Sequence, residues 1–436
     1  MKPRGLARAR VLLVIAFTTP ALPSYSQRTQ ELAALAIDSP SVSCLTTATL
    51  APSVRIVSCT AALESKALSG TDRAAAFLQR GQSYNAVGDD TRAKADFRAA
   101  IAEFDAHTDA SKLDGQYFLQ RAMAHHALGD SGRAISDYAA AIWNQPNDAR
   151  AYANRGILLA SRRPQLRHAI ADFSKALELV PDNVDVLVLR ADAYLSLSEL
   201  GAAKADALRA VELSPDNPRA LLMRGLVLAR QGDLDRAFID YSEAIRLVPR
   251  FADALANRAA IFSMRGDFDN ALRDLDVALA EAPRHANAAY NRGYAHFAKR
   301  RYDEAMADYT MAIQADPEMA WAHANRGLTR AIVGKDMLQA LADVDEALKL
   351  QPGSPDIRET RGFILLKSGD HAAALAEYDT VLRGNPNRPL ALFGRGVALI
   401  AKGDARQGKA DLAAARALMP TVDREFTGYG VKVAEN

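Results

Sequence analysis

The sequence holds only two cysteines in 436 residues, Cys44 and Cys59, both near its N-terminal end. An even count on a chain with an export signal suggests one disulfide closing a short loop, worth about 3 kcal/mol locally; two unrelated thiols are the alternative. Aromatic residues make up only 7%. No apolar run after the first seventeen residues is long enough to span a bilayer. Charge of one sign is missing too: 54 Lys and Arg stand against 52 Asp and Glu, a net of +2. That balance gives no support for nucleic-acid binding. The eight histidines are scattered without an HExxH or other metal-ligand spacing, and His125 and His126, being adjacent on a helix, point to different faces. There is no GxSxG and no phosphate-cradling glycine loop. No catalytic residue, cofactor site or metal site emerges.

What is present begins with an unequal start. Lys2, Arg4, Arg8 and Arg10 precede the apolar run Val11–Phe17, no acid occurs before Gln27, and the small residues Ser24 and Ser26 flank a cleavage point there. Residues 1–26 therefore read as a secretory signal peptide, which implies a periplasmic or secreted protein with no stable membrane insertion after cleavage. Losing those four positive charges turns the net +2 into −2 for the mature chain. Residues 27–73 form a lead-in with the two cysteines. Within it Ile56, Cys59, Ala62 and Leu63 recur at helical spacing, predicting a capping helix over 54–68.

The stretch from Ala286 to Met319, ANAAYNRGYAHFAKRRYDEAMADYTMAIQADPEM, reads as two amphipathic helices joined by a short turn. One copy could not bury its apolar faces, so it must stack on neighbours, and copies of it lie on both sides. Ten units begin near Ala74, Gly115, Ala149, Val184, Pro218, Ala252, Ala286, Ala320, Pro355 and Pro389. Most are 34 residues; extra residues fall near Pro164, near Met337 and over Thr108–Asp114, as loops allow at little entropic cost. Residues 423–436, with Gly428 and Gly430, read as a flexible tail.

The eighth position of each unit is Gly or Ala (Gly81, Ala122, Gly156, Ala191, Gly225, Ala259, Gly293, Gly327, Gly362, Gly396), and a second small residue follows twelve or thirteen places on. Nine units end in proline, from Pro146 to Pro420, while the first has Asp105 there. In these residues the chain resembles the tetratricopeptide repeat family over residues 74–422. The resemblance implies an all-α fold, a right-handed superhelical α-solenoid of about ten helix-turn-helix units. It also implies that the paired helices cross where the two small residues meet, so that Ala→Leu there would overpack by about 1–3 kcal/mol. His296 and His323 occupy core positions of their units and read as packed histidines.

A second regularity belongs to this sequence alone. The seventh position is arginine in all ten units, and sixteen or seventeen residues later comes an acid, as in Arg292 with Asp308 or Arg361 with Glu377. The pattern predicts a ladder of ion pairs, each contributing about 0–1 kcal/mol if semi-exposed. A basic stripe for an anionic ligand is the weaker alternative, since each charge has a partner in register.

The resemblance implies a concave groove lined by first helices. Asn154, Asn257, Asn291 and Asn325 stand at its sixth position, where a row of amides could grip a peptide backbone. Tyr290, Tyr294 and Phe297 lie at i, i+4 and i+7 on the first helix of the unit from Ala286, and Trp321 opens the next. Phe363 and Phe393 continue toward the C-terminus. Packing of these rings against the adjoining first helix is the other reading. The function expected is a non-catalytic scaffold holding an extended peptide or partner protein in this groove, at micromolar affinity. The alternative is an assembly adaptor that docks folded partners, or another copy of itself, through its convex face or terminal units. Neither the partner nor the oligomeric state is specified by the sequence.

Overall fold

The computed structural model describes residues 44–45, 50–65, 68–106, 114–334 and 336–431. The expected signal peptide, most of the lead-in before Leu50 and the last five residues lie outside the described residues. No helix among those described is long and apolar enough to cross a membrane.

A lead-in helix, α1 (Pro52–Glu64), precedes ten consecutive helix pairs. They are α2 (Gly70–Ala86) with α3 (Asp90–Asp105), α4 (Gly115–Ala127) with α5 (Ser131–Asn144), and α6 (Ala149–Ala160) with α7 (Leu166–Leu179). Next come α8 (Val184–Ser196) with α9 (Leu200–Leu213), α10 (Pro218–Arg230) with α11 (Leu234–Leu247), and α12 (Ala252–Met264) with α13 (Phe268–Glu281). The last four pairs are α14 (Ala286–Ala298) with α15 (Tyr302–Ala315), α16 (Ala320–Val333) with α17 (Met337–Leu350), α18 (Pro355–Ser368) with α19 (His371–Gly384), and α20 (Pro389–Ala401) with α21 (Ala405–Leu418). A short helix, α22 (Val422–Gly428), follows. There is no strand among the described residues. They form two compact units that part within α11, between Ala237 and Phe238. In each unit, helices pack on those before and after them in sequence, as a solenoid requires.

The helices start and stop for local reasons. Asp89, Asp130, Asp267, Asp370 and Asp404 cap second helices, each carboxylate accepting the N–H three residues on. Such caps are worth about 1 kcal/mol each. The residue before most of these caps is a glycine at positive φ, such as Gly266 at 79° and Gly403 at 95°. The extra residue near Pro164 is taken up by a 3-10 turn, Arg163–Gln165.

Helix crossing depends on the small eighth residue. A Cβ on Gly293 would lie 2.8 Å from the Tyr309 ring, and one on Gly327 would lie 2.7 Å from the Ala340 carbonyl. Both are closer than packed atoms approach, so backbone contact at the crossing needs glycine there.

At the N-terminal end, Cys44 and Cys59 form a disulfide with Cα atoms 4.7 Å apart across 15 residues. Cys59 is buried with Ala62, Leu63, Leu68 and Ala76, so α1 covers the open side of α2. The described part of the tail, up to residue 431, departs from its expected flexibility. Val422 and Phe426 of α22 are buried, and so is Val431, as part of the apolar core of the C-terminal unit. The spacing Val422, Phe426, Tyr429 carried that signal, which Gly428 and Gly430 masked.

Candidate binding face

The arginine ladder is present in nine of the ten units. Each guanidinium grips the acid of its own second helix, usually with two nitrogens, as in Arg190 Nε and Nη2 at 2.8 Å from Asp206. The tenth pair is divided between the two compact units, Arg224 in one and Asp240 in the other. The nine pairs are more enclosed than expected. Arginine side chains are 15–28% exposed and the acids only 4–13%. The free corner of the guanidinium then reaches the preceding unit. Arg292 Nη1 donates to Asp276 at 3.0 Å, Arg361 Nε to Asp345 at 2.7 Å, and Arg395 Nη1 to Asp379 at 2.9 Å. Thr60, Asp105, Ser174, Ser242 and Thr310 play the same part elsewhere. Ala139, at the corresponding place for Arg155, has no side-chain acceptor. One side chain therefore closes its own hairpin and fixes the step to the one before. The fork geometry of arginine suits both tasks, and lysine would not.

The asparagine row is not an open strip of amides. Asn257, Asn291 and Asn325 are 0%, 1% and 1% exposed. Asn257 Nδ2 donates to the Asp253 carbonyl one turn back, at 2.8 Å. Asn325 Nδ2 donates to the Tyr290 hydroxyl of the preceding first helix, at 3.0 Å. The sixth position is buried there, and its amide bonds within its own helix at Asn257 and to the neighbouring first helix at Asn325. Asn154, half-buried, belongs to the other compact unit.

The same geometry closes over Tyr290. It is fully buried beside Tyr309, with ring centroids 5.8 Å apart, and burial pushes its hydroxyl well above the usual tyrosine range. Tyr294 is half-buried against Phe268, and Trp321 is half-buried on the core. Phe297 is 5% exposed, packed edge-on to Tyr302. The expectation of exposed rings thus fails for Tyr290 and Phe297, for different reasons: Tyr290 sits between stacked helices, whereas Phe297 lies beneath the tail.

Phe297, Phe363 and Phe393, from α14, α18 and α20, form an aromatic floor on the face of the first helices. Phe426 lies against Phe393 at 4.5 Å and Phe363 at 5.8 Å between ring centroids. Tyr429 lies against Phe363 at 6.0 Å and Phe297 at 6.2 Å. Lys367 Nζ, its pKa lowered by burial, donates to the Tyr429 carbonyl at 2.7 Å. To one side Glu359, 2% exposed, accepts from Arg388 Nε at 2.6 Å and Nη2 at 3.0 Å; burial raises its pKa against that pairing. Glu359, Tyr378 and Leu390 line a small cavity whose opposite wall is Glu425, Phe426 and Tyr429.

His296 and His323 are packed, as expected. His323 Nε2 donates to the Pro317 carbonyl at 3.0 Å, and His296, its pKa lowered by burial, lies 3.7 Å from Asp308. Among the described residues no group of three His, Cys, Asp or Glu is placed to hold a metal ion. Large exposed apolar side chains such as Trp143, Ile239 and Leu338 sit on second helices at different places in their units. Scattered singly, such residues are ordinary surface.

Comparison with known proteins gives one family. A tetratricopeptide repeat profile matches residues 119–184, 163–218, 188–252, 262–320, 334–389 and 360–418. Among curated proteins nothing matches. Of the solved structures, the APC/C hetero-tetramer Cut9–Hcn1 is 15% identical with a TM-score of 0.50, over 85% of this chain and 90% of that one. A monomeric mutant of IFIT1 with Gppp-AAAA is 15% identical with a TM-score of 0.51, over 84% and 95%. A tetratricopeptide repeat protein from Parabacteroides merdae is 20% identical with a TM-score of 0.42, over 56% and 98%. At such identities the first two likenesses concern the fold.

Proposed function

The chain belongs to the tetratricopeptide repeat family, and from that premise we propose that it is a non-catalytic protein-interaction scaffold that holds a peptide segment on the first-helix face of its C-terminal compact unit. The observation that carries this reading is the aromatic floor of Phe297, Phe363 and Phe393, which already holds a stretch of polypeptide by ring contacts and a captured backbone carbonyl. Rings supply the area, and Lys367 supplies a contact to main chain that any sequence can satisfy. The groove residues proposed are therefore Phe297, Phe363, Phe393 and Lys367, with half-buried Tyr294 and Trp321 at the rim.

The chain works outside the cytoplasm in this reading. The basic start with Lys2, Arg4, Arg8 and Arg10, the apolar run after it and the Cys44–Cys59 bridge support export.

The test is capture of partners from the native envelope with the full chain as bait, comparing wild type with Phe363→Ala. The expected result is a protein retained by wild type and lost, at least tenfold, with Phe363→Ala. A partner retained equally by both would move the site off this face, and no retained protein at all would remove the scaffold reading.

A further inference from the structure

We infer that the C-terminal segment Val422–Val431 is a resident, displaceable occupant of the first-helix face, standing where a partner's short helix with two aromatic residues three apart would dock. This rests on the proposed function above and adds to it the chemistry of the partner and a means of control.

The segment does not continue the stack. A further first helix would lie on the last unit alone. Tyr429 instead runs back past Phe363 of α18 to Phe297 of α14, three units before the last. Its two glycines fit that path. A Cβ on Gly428 would come 3.2 Å from the Arg300 guanidinium, and one on Gly430, at φ 81°, would come 3.2 Å from Lys367 Nζ. Two cations thus lie so near the tail backbone that a Cβ at either glycine would make them give way by a few tenths of an ångström. Arg300 is itself at φ 60°, in a turn where most units place glycine.

The fit is also incomplete. Tyr378 is 1% exposed with no hydrogen-bond partner for its hydroxyl, and Glu425 Oε2 is buried without one. Both residues line the cavity under the tail. Each unpaired buried group weakens the seated state, so the tail is held less firmly than its rings alone would hold it. A matched partner would keep the aromatic pair of Phe426 and Tyr429. At the place of Glu425 it would carry a neutral hydrogen-bonding side chain such as glutamine.

The probe is a labelled peptide of residues 420–436, and a second with Gln for Glu425, titrated by fluorescence anisotropy against full-length protein. A tethered tail acts at an effective concentration on the order of millimolar, so a peptide of about 100 µM intrinsic affinity is weakened about tenfold by the resident copy. The expected result is binding to Phe426→Ala/Tyr429→Ala at least tenfold tighter than to wild type, tighter again for the Gln peptide, and lost when Phe363→Ala is added. Where that variant fails to fold, Tyr429→Ala/Gly430→Val leaves Phe426 in place and carries the same expectation. Equal affinity for wild type and the opened variants would show that the tail does not occupy the face. No binding to the opened variants would show a fixed cap. If either occurs while envelope capture still depends on Phe363, the scaffold reading stands and this inference alone falls.

Discussion

Replacing Asp308 with alanine is expected to destabilise the C-terminal compact unit by about 2–3 kcal/mol, whereas Asp276→Ala is expected to cost about 0–1 kcal/mol. Both carboxylates hold Arg292. Asp308 is 4% exposed and receives Nη2 at 2.6 Å, with Nε at 3.0 Å from its other oxygen. Removing one partner of a fully buried pair costs about 3–5 kcal/mol. Here the guanidinium is still 21% exposed and keeps Asp276 at 3.0 Å, which places the cost below that range. Asp276 is 65% exposed, so solvent screens it. Urea unfolding followed by far-UV circular dichroism measures both variants. In 1 M salt, where the screening length is about 3 Å, the Asp276 effect should vanish and most of the Asp308 effect should persist. A loss below about 0.5 kcal/mol for Asp308→Ala, or equal losses for the two, would refute the view that the ladder is enclosed and structural.

Gly293→Ala is expected to cost about 1–3 kcal/mol, because its Cβ would meet the buried Tyr309 ring at 2.8 Å; the same urea midpoint reads it. Tyr309→Phe should be neutral or stabilising by up to about 1 kcal/mol, since the hydroxyl is buried without a partner. Burial raises the Glu425 carboxyl to about 7, from an ordinary 4.5 when the tail is released. The seated tail therefore binds the extra proton: its advantage is full below pH 4.5 and fades as pH rises toward 7. The labelled peptide with Gln for Glu425, which has no such proton to take up, should accordingly bind wild type more tightly at pH 8 than at pH 5, while the peptide that keeps Glu425 should not. Glu425→Gln should flatten that profile, and a profile unchanged by it would assign the effect to Glu359, Lys367 or another neighbouring group.

The fold was legible because repetition averages out local ambiguity. One stretch such as 286–319 could be mistaken for an isolated hairpin, but the small eighth-position residue, Gly or Ala, and the terminal proline recur ten and nine times. The arginine ladder was legible by the same arithmetic, since a charge and its counter-charge kept a fixed distance. Its enclosure was not: exposure depends on how closely two hairpins approach, and a one-dimensional pattern carries no distance between them. The groove was half legible. Phe363 and Phe393 stood out as rings at first-helix positions, yet Asn291 and Asn325 stand on first helices too, and all four are buried. Asn325 meets Tyr290 of the neighbouring first helix. The seating of residues 422–431 is not legible in sequence, because Gly428 and Gly430 read as loss of structure there, whereas in the fold they pass close to Arg300 and Lys367.

The position of Phe393 separates two roles that the tail combines. At the fifth place of an interior unit, the side chain is covered by what comes next in the stack: Tyr290 meets Asn325, and Glu359 meets Arg388 just ahead of α20. Phe393 holds that place in the unit from Pro389, and among the described residues it is followed by α22 and not by another full first helix. Phe426 covers it instead, at 4.5 Å between ring centroids. Covering the last unit is a need of any stacked array, and it accounts for Phe426 alone. It does not account for Tyr429, which lies three units back, or for the carbonyl held by Lys367. If the tail were only an end cap, Tyr429→Ala would be a surface change and Phe426→Ala would carry all the stability. Occupancy of the face requires the reverse for binding: Tyr429→Ala should open the site to peptide while the array keeps its urea midpoint.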